Sequence, residues 1–259
     1  MSDGNWAVAH AEGGQVPLYR TLLERSEGVL LDWDGCVAID NKPLPGAVAF
    51  MKAYRGPVAI LSNNSTNLAG DIAAILAASG VIVDPARIVL AGEEALRRAR
   101  ETAGGVLVLG DARMRAHARR CGMRLVTRRA ETVVLLRDTG FSYRRLEQAV
   151  DVLQRGGRLI VSNPDATHPG PGGRVVPETG ALLAALQACI DLGSVQTEIV
   201  GKPAPHLFHA ACRTIGLPPE KVVMIGDNPA TDIAGARRVG MRAVLVGRSA
   251  GCSLGDLAE

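Results

Sequence analysis

The sequence has few cysteines, the residues that cross-link small secreted proteins through disulfides or bind structural zinc. Its five cysteines are scattered and odd in number, and no CxxC pair occurs. This pattern argues against a disulfide framework and against a zinc site, and it favours reduced thiols in a cytosolic protein. At 259 residues the chain is long enough to bury a substantial core without such links, as one large domain or two modest ones.

Long apolar runs are also missing. Residues 1–15 are polar and contain glycine, and they include no run of the signal-peptide type. No stretch reaches the length that a transmembrane helix needs. The sequence therefore predicts a cytoplasmic protein without a membrane partner, in which residues 1–15 form a flexible extension.

Charge of one sign is not in large excess, because the formal net charge of +3 is too small to indicate nucleic acid as a partner. Its distribution is uneven, since Arg97 to Arg129 includes ten arginines and two acids, a local net charge of +8. The segment has no aromatic residue, which argues against base stacking on single strands. A solvated helix face is the favoured interpretation, and a field that attracts anionic substrates is the alternative.

What the sequence does contain is a regular alternation of short apolar runs and longer helical segments. The apolar runs include Gly28–Leu31, Val58–Leu61 and Lys221–Ile225. This alternation predicts an α/β fold with a parallel sheet that is covered on both faces. A stretch rich in proline and glycine, residues 163–177, is predicted to be a long loop.

Two carboxylates, those of Asp32 and Asp34, directly follow the first apolar run. At the carboxyl end of a parallel strand they would lie in the crevice where α/β proteins bind ligands. Close carboxylates repel each other unless a cation lies between them or one is protonated, and Mg²⁺ takes hard oxygen ligands. Considered alone, the pair is explained equally well by a strand-end turn with capping aspartates.

Three further segments place polar side chains after apolar runs. Ser62-Asn63-Asn64 offers a hydroxyl and amides to a phosphate, although alone it is better explained as a helix N-cap cluster. Lys202, one of four lysines against 25 arginines, is a compact charge suited to phosphate, or else a solvent-facing loop lysine. Asp227 and Asp232 follow the last of these runs, and they either complete a magnesium site or cap the next helix.

The coincidence of the four segments favours one interpretation. The carboxylates can hold a cation while Ser62 and Lys202 hold a phosphate, and one aspartate can attack the phosphoryl group between them. Hydrolysis of phosphate monoesters requires an acceleration of up to ~10²¹-fold. A metal, a positive clamp and a positioned nucleophile together meet that demand better than any one of them.

In their order along the chain, the four segments resemble the motifs of the haloacid dehalogenase (HAD) superfamily of phosphatases. Two further segments are similar to its subfamily IIA, the NagD-like and p-nitrophenyl phosphatase branch: Leu44-Pro45-Gly46-Ala47 and Ser162-Asn163-Pro164-Asp165. The resemblance covers about residues 27–247. The four motifs in this sequence are Asp32-x-Asp34-Gly35, Ser62-Asn63-Asn64, Gly201-Lys202-Pro203, and Gly226-Asp227-Asn228 with Asp232.

The resemblance implies a Rossmann-like core with a parallel sheet and an inserted α/β cap of the C2 type. The core would comprise residues 16–88 and 195–259, and the cap would comprise residues 89–194. The oligomeric state is left open, with a homodimer through the cap as one option because caps in this branch often dimerise.

The resemblance also implies a Mg²⁺-dependent phosphomonoester hydrolase that acts on a small phosphorylated metabolite through an aspartyl-phosphate. Asp32 would be the nucleophile, and Asp34 would act as general acid and then as general base. Mg²⁺ would be held by Asp32, by the backbone carbonyl of Asp34 and by Asp227.

Five other residues are expected around the phosphoryl group. Ser62, the backbone amide of Asn63, and Lys202 would bind it. Asn228 and Asp232 would contact these residues rather than the phosphoryl group, and Asp232 would support Lys202 or a metal-bound water.

Two residues of the cap loop, Asp165 and Arg174, are expected to contact the part of the substrate that carries no phosphate. The substrate itself is left open among sugar phosphates, glycerol phosphate, phosphoglycolate, pyridoxal phosphate and nucleotides. Two other functions use the same residues: a phosphotransferase with the same intermediate, and a catalytically silent protein that binds sugar phosphates.

Overall fold

The computed structural model describes residues 16–169, 174–247 and 250–258, so the predicted extension at residues 1–15 lies outside the described residues. The chain divides into two compact units. The core unit comprises the residues up to Ser62, Leu68–Val89, and the residues from Lys202 onward. The inserted unit comprises Asn63–Asn67 and Leu90–Gly201.

The main sheet of the core unit has five strands. Its central strand pairs in parallel with a neighbour on each side, and Val29, Leu30 and Leu31 within it are fully buried. Such burial is what a strand covered on both faces requires. In spatial order the strands are β13 (Arg242–Leu245), β12 (Val222–Gly226), β1 (Gly28–Leu31), β4 (Val58–Ser62) and β5 (Ile88–Leu90).

Helices and one small hairpin complete the core unit. Helix α8 (Pro205–Ile215) begins with proline, whose fixed φ suits a first helical position, and it ends at Gly216 in the left-handed region. None of the described helices has the length and apolarity that crossing a bilayer requires. The elements are α1 (Val16–Glu24), β2 (Ala38–Ile39), β3 (Lys42–Pro43), α2 (Pro45–Ala53), α3 (Ala69–Ala78), α8 (Pro205–Ile215), a π-helical turn (Pro229–Ile233) and α9 (Ala234–Arg238).

The inserted unit has its own four-stranded sheet, which is parallel throughout. Leucines from three of its strands pack with Leu183 and Leu186 in one buried cluster. The predicted α/β class with parallel sheets is therefore confirmed. In spatial order the strands are β11 (Thr197–Ile199), β8 (Arg158–Val161), β7 (Thr132–Leu135) and β6 (Val106–Leu109), and the helices are α4 (Ala91–Arg100), α5 (Ala112–Arg120), α6 (Tyr143–Gln154) and α7 (Thr179–Gln187).

Three predicted segments differ from the structure. Residues 63–67 were expected in the core, but they pack with the inserted unit. Residues 195–201 were expected in the core, but β11 pairs with β8 and therefore belongs to the sheet of the inserted unit. The predicted long loop at residues 163–177 contains two short antiparallel strands, β9 (Thr167–Pro169) and β10 (Val175–Pro177). Proline is compatible with such a two-stranded ribbon because an edge strand does not need every N–H for pairing.

Candidate active site

The first predicted carboxylate lies at the end of the central strand of the core unit. Asp32 directly follows β1, is 5% exposed, and donates its backbone N–H to the carbonyl of Ile225 at 2.9 Å. Strands β4 and β12 flank β1, so Ser62 at the end of β4 and Asp227 after β12 approach the same edge. From β1 the chain goes on to β4 and β5 on one side, and it returns much later to β12 and β13 on the other side. The strand order therefore reverses at β1, and open α/β sheets bind ligands at such a point.

Lys202 is a buried cation held by two carboxylates of the core unit. Its Nζ lies 2.5 Å from Asp32 Oδ1 and 2.6 Å from Asp232 Oδ1, and it donates to the carbonyl of Leu61 at 3.4 Å. The side chain of Lys202 is 3% exposed, so the alternative of a solvent-facing loop lysine is wrong. An ammonium group so deep in the protein needs partners of opposite charge, and both are present.

Three carboxylates surround this lysine with a surplus of negative charge. Oxygens of Asp32, Asp227 and Asp232 lie within 4.8 Å of one another. With all three carboxylates ionised and Lys202 protonated, the cluster carries a net charge of −2. One divalent cation would neutralise this surplus, and carboxylate oxygens are the ligands that hard cations prefer.

The protonation behaviour of the cluster reflects this crowding. Burial raises the pKa of Asp32 well above its usual range, and the attraction of Lys202 offsets only part of that effect. Burial and the neighbouring Asp232 raise the pKa of Asp227 to about 6. Burial alone would lower the pKa of Lys202, but Asp232 and Asp32 outweigh it and raise that pKa. The lysine therefore stays charged while its acids compete for protons.

The second acid of the first motif has a different environment. Asp34 is exposed, whereas Asp32 two residues earlier is buried. Ser62, itself 1% exposed, donates its hydroxyl to Asp34 Oδ2 at 3.2 Å. The structure therefore separates the two acids into one beside the buried lysine and one beside a serine hydroxyl, accessible to solvent.

The loop after Asp34 depends on a glycine. Gly35 has a φ of +91°, a region that other L residues rarely adopt. A Cβ at this position would lie 2.1 Å from Asp227 Oδ2. Trp33, which is fully buried, donates its Nε1 to Asn41 Oδ1 at 3.2 Å in the turn between β2 and β3. These contacts fix the backbone between the two acids and the following hairpin.

Asp232 contacts Lys202 directly, which is one of the two positions expected for it. It lies in the π-helical turn and is fully buried. One carboxylate oxygen accepts from Lys202, and the other accepts from the backbone N–H of Asn228 at 3.0 Å. The Asn228 side chain accepts from the N–H groups of Ala230 and Thr231 at 2.9 and 3.3 Å, which caps the turn. Asn228 thus positions Asp232, and Asp232 positions Lys202.

Three predicted residues, Asn63, Asp165 and Arg174, belong to the inserted unit. The Asn63 side chain donates to Asp165 Oδ2 at 2.9 Å, so the structure joins two residues that the sequence assigned to different tasks. Arg174 is exposed and directly precedes β10. Sequence reasoning gave no separate role to Asn163, which is 1% exposed and follows β8. The signal that marked the other motifs, a polar residue after an apolar run, also marked Asn163.

Comparison with known proteins places this geometry in a family. A haloacid dehalogenase-like hydrolase model matches residues 29–124, and a HAD-hydrolase-like model matches residues 199–254. Dihydroxyacetone phosphatase of Corynebacterium glutamicum is 30% identical over 84% of this chain and 79% of its own length.

Solved structures agree with these matches. The 4-nitrophenylphosphatase of Thermotoga maritima superimposes with a TM-score of 0.81 at 26% identity, over 92% of this chain and 98% of that one. The glycerol phosphate phosphatase of Mycobacterium tuberculosis in complex with magnesium gives a TM-score of 0.75 at 26% identity, over 86% of this chain and 69% of that one.

A phosphatase with a Rossmann-like α/β core and an inserted cap is the class of protein that this fold and these matches define. The chain belongs to the haloacid dehalogenase-like hydrolases, within the NagD-like and p-nitrophenyl phosphatase branch, and it is a phosphatase.

Proposed function

We propose that this protein is a Mg²⁺-dependent phosphomonoesterase that hydrolyses a small phosphorylated metabolite through an aspartyl-phosphate on Asp32. The observation that carries the proposal is the buried contact of Lys202 with Asp32 and Asp232, beside the carboxylate of Asp227. Such an arrangement places a nucleophile, a cation for phosphate oxygens and a surplus of carboxylates at one sheet edge.

The residues present fit a divalent cation. When its three acids are ionised the cluster has a surplus of two negative charges, and the ligand atoms that these residues offer are carboxylate oxygens. Asp32, Asp227 and the backbone carbonyl of Asp34 would hold the ion, while Asp232 stays committed to Lys202. When bound, the ion would neutralise charge on the acids and on the phosphoryl oxygens. The magnesium complex of the related glycerol phosphate phosphatase supports Mg²⁺ as the ion.

The first chemical step forms the intermediate. A carboxylate oxygen of Asp32 bonds to phosphorus, and the bond between phosphorus and the ester oxygen breaks. Asp34, exposed and therefore accessible to the leaving group, donates a proton to that oxygen. Lys202 stays protonated because two carboxylates hold its charge, and with the Ser62 hydroxyl it binds the phosphoryl oxygens.

The second step releases phosphate. Asp34, now a carboxylate, removes a proton from water, and the water oxygen bonds to phosphorus. The bond between phosphorus and Asp32 breaks, which frees inorganic phosphate and restores the Asp32 carboxylate. The different environments of the two acids suit these different roles, because a nucleophile must be held in place while a proton carrier must reach both the leaving group and water.

The relatives suggest the order in which phosphate esters should be tried. Two of them are named for dihydroxyacetone phosphate and glycerol phosphate chemistry, so three-carbon phosphates come first in a substrate panel. Arg174, exposed beside β10, remains our candidate for contact with the rest of the substrate, whereas Asp165 accepts a hydrogen bond from Asn63. If Arg174 has this role, Arg174→Gln should raise KM and change the order of preference in the panel.

The proposed function is tested with p-nitrophenyl phosphate. The purified protein should release p-nitrophenol with Mg²⁺ and not with EDTA, and Asp32→Asn should lose activity by on the order of 10⁴-fold or more because the nucleophile is gone. Asp84→Asn is the matched control, since Asp84 is an exposed N-cap where asparagine serves equally well. Full activity in Asp32→Asn, or equal activity in EDTA, would overturn the proposal.

A further inference from the structure

Two peptides connect the inserted unit to residues that bind phosphate in the proposed function. Asn63 follows Ser62 in the chain, and Gly201 precedes Lys202. Both Asn63 and Gly201 pack within the inserted unit. Ser62 and Lys202 are thus each joined by one peptide bond to a residue that packs in the inserted unit.

Asn163 holds the first peptide through a buried side chain. Its Nδ2 donates to the backbone carbonyl of Asn63 at 2.9 Å, and its Oδ1 accepts from the backbone N–H of Asp165 at 3.1 Å. The buried hydroxyls of Ser162 and Thr179 lie 3.4 and 3.3 Å from the same Nδ2. Because the amide is 1% exposed, it cannot exchange these partners for water, and its orientation is fixed.

Asp165 binds the side chain of Asn63. Its Oδ2 accepts from Asn63 Nδ2 at 2.9 Å, and the carbonyl of Asp165 accepts from the N–H of Gly180 at 2.7 Å at the start of α7. Asn63 is therefore bound at its backbone by Asn163 and at its side chain by Asp165. Hydrogen bonds to a charged acceptor are about twice as strong as neutral ones.

Gly201 holds the second peptide against the same group of residues. A Cβ on Gly201 would lie 2.4 Å from the carbonyl oxygen of Ser162, 2.6 Å from Asn63 Oδ1 and 3.0 Å from Asn163 Cβ. Only glycine permits this approach. The outgoing and returning peptides are thus packed side by side on one polar cluster.

The segment that follows Asn63 makes further hydrogen bonds at Asn64 and Ser65. The carbonyl of Asn64 accepts from the N–H of Gly92 at 3.1 Å, and the hydroxyl of Ser65 accepts from the N–H of Arg137 at 3.0 Å. Ser65 is 3% exposed. These contacts continue the attachment that begins at Asn63, so the peptide after Ser62 is fixed over several residues rather than at one.

We propose that Asn163 and Asp165 are positioning residues for phosphoryl transfer, which align Ser62 and Lys202 by clamping Asn63 beside Gly201. This inference rests on the proposed function, and it assigns Asp165 a role different from substrate contact. A positioning role predicts a loss of activity that is the same for every phosphate ester, because the phosphoryl group is common to all of them. A substrate contact predicts a loss that depends on the leaving group.

The test measures kcat and KM of three variants on p-nitrophenyl phosphate, glycerol phosphate and dihydroxyacetone phosphate. Inhibition of each variant by inorganic phosphate is measured as well. Asn163→Asp keeps the shape but turns the donor facing the Asn63 carbonyl into an acceptor. Asp165→Ala removes one partner, and Asp165→Asn keeps an acceptor. Asp151→Ala, which removes an exposed pair with Arg155 on α6, is the matched control.

The expected result is a fall in kcat of about 10- to 100-fold for Asn163→Asp, because a misplacement of ~1 Å costs on the order of 10²-fold. The kcat of Asp165→Ala should fall by a smaller factor, and Asp165→Asn should retain most of the activity. Inhibition by phosphate should weaken in parallel, the order of preference among the three esters should stay unchanged, and Asp151→Ala should match the wild type.

A reciprocal variant separates positioning from general damage to the fold. Asn63→Asp places a carboxylate against that of Asp165 and should lower kcat. Combining it with Asp165→Asn restores one donor and one acceptor, so the double variant should recover activity relative to Asn63→Asp alone. Wild-type activity with unchanged kinetics in Asn163→Asp and Asp165→Ala, a changed order of preference, or no recovery in the double variant would each overturn the clamp. Absence of wild-type activity would instead overturn the proposed function.

Discussion

The two parallel sheets of this protein end in polar clusters of opposite character. At the edge of the core sheet, buried Lys202 lies among three carboxylates, and the cluster has more negative than positive charge. At the edge of the inserted sheet, Asn163 lies with the hydroxyls of Ser162 and Thr179, and its donors and acceptors are matched. The same architecture therefore supports a reactive site where charge is unbalanced, and a structural joint where hydrogen bonds are satisfied.

Removal of the buried cation, Lys202, should have the largest effect on the charged cluster. Lys202→Met leaves the carboxylates of Asp32 and Asp232 buried without a cation, so the free energy of unfolding in EDTA should fall by about 3–5 kcal/mol. Activity should also be lost. Lys221→Met is the matched control, because its pair with Glu27 is exposed and should contribute little. Urea unfolding of both variants measures the difference, and equal stability would contradict a cluster held by its central charge.

A second test concerns the glycine that lies against the charged cluster. Gly35→Ala should lower kcat by on the order of 10²-fold, since the methyl group would displace Asp227. Gly122→Ala is the control, because Gly122 has a similar φ of +80° with no atom within 4 Å of the added Cβ. Both variants carry backbone strain of ~1–2 kcal/mol. Only Gly35→Ala should lose activity beyond what thermal unfolding explains, and equal losses would refute the specific contact.

The unbalanced charge also predicts a pH dependence of metal binding. The pKa of Asp227 is raised to about 6 in the metal-free protein, so protons compete with Mg²⁺ as the pH falls through that value. The apparent affinity for Mg²⁺ should weaken by about tenfold per pH unit below pH 6 through Asp227 alone, and the raised pKa of Asp32 adds to the effect. Thermal shift titrations with Mg²⁺ from pH 5 to 8 measure this. Asp227→Asn should bind Mg²⁺ more weakly and lose this part of the pH dependence.

The smallest effect is expected at the balanced edge. Thr179→Val removes one hydroxyl from the buried group around Asn163, which should cost about 1–2 kcal/mol of stability because its partners lose a hydrogen bond. The change should be independent of pH and of Mg²⁺, since no charge is involved. Urea unfolding at pH 6 and pH 8 checks this, and a strong dependence on either condition would break the distinction between the two edges.

Much of the site could be predicted because its parts are local. An apolar run followed by acids is visible in the sequence at Asp32 and Asp227, and the order of four such segments pointed to one family. The division of the chain was harder to place, because β11 is three residues long and only its pairing with β8 assigns it to the inserted sheet. The ribbon of β9 and β10 was missed for the same reason, since antiparallel pairing is not visible in a segment rich in proline and glycine.

By itself, the sequence determined where strands and helices form and which of their ends carry acids, amides and a lysine, because these depend on neighbouring residues. The tertiary structure alone decided which of those ends meet. Lys202 reaches Asp32 across 170 positions, and Asn63 reaches Asp165 across 102. Such pairings follow from the packing of whole sheets, and they turn similar polar residues at strand ends into a charged cluster in one unit and a hydrogen-bonded clamp in the other.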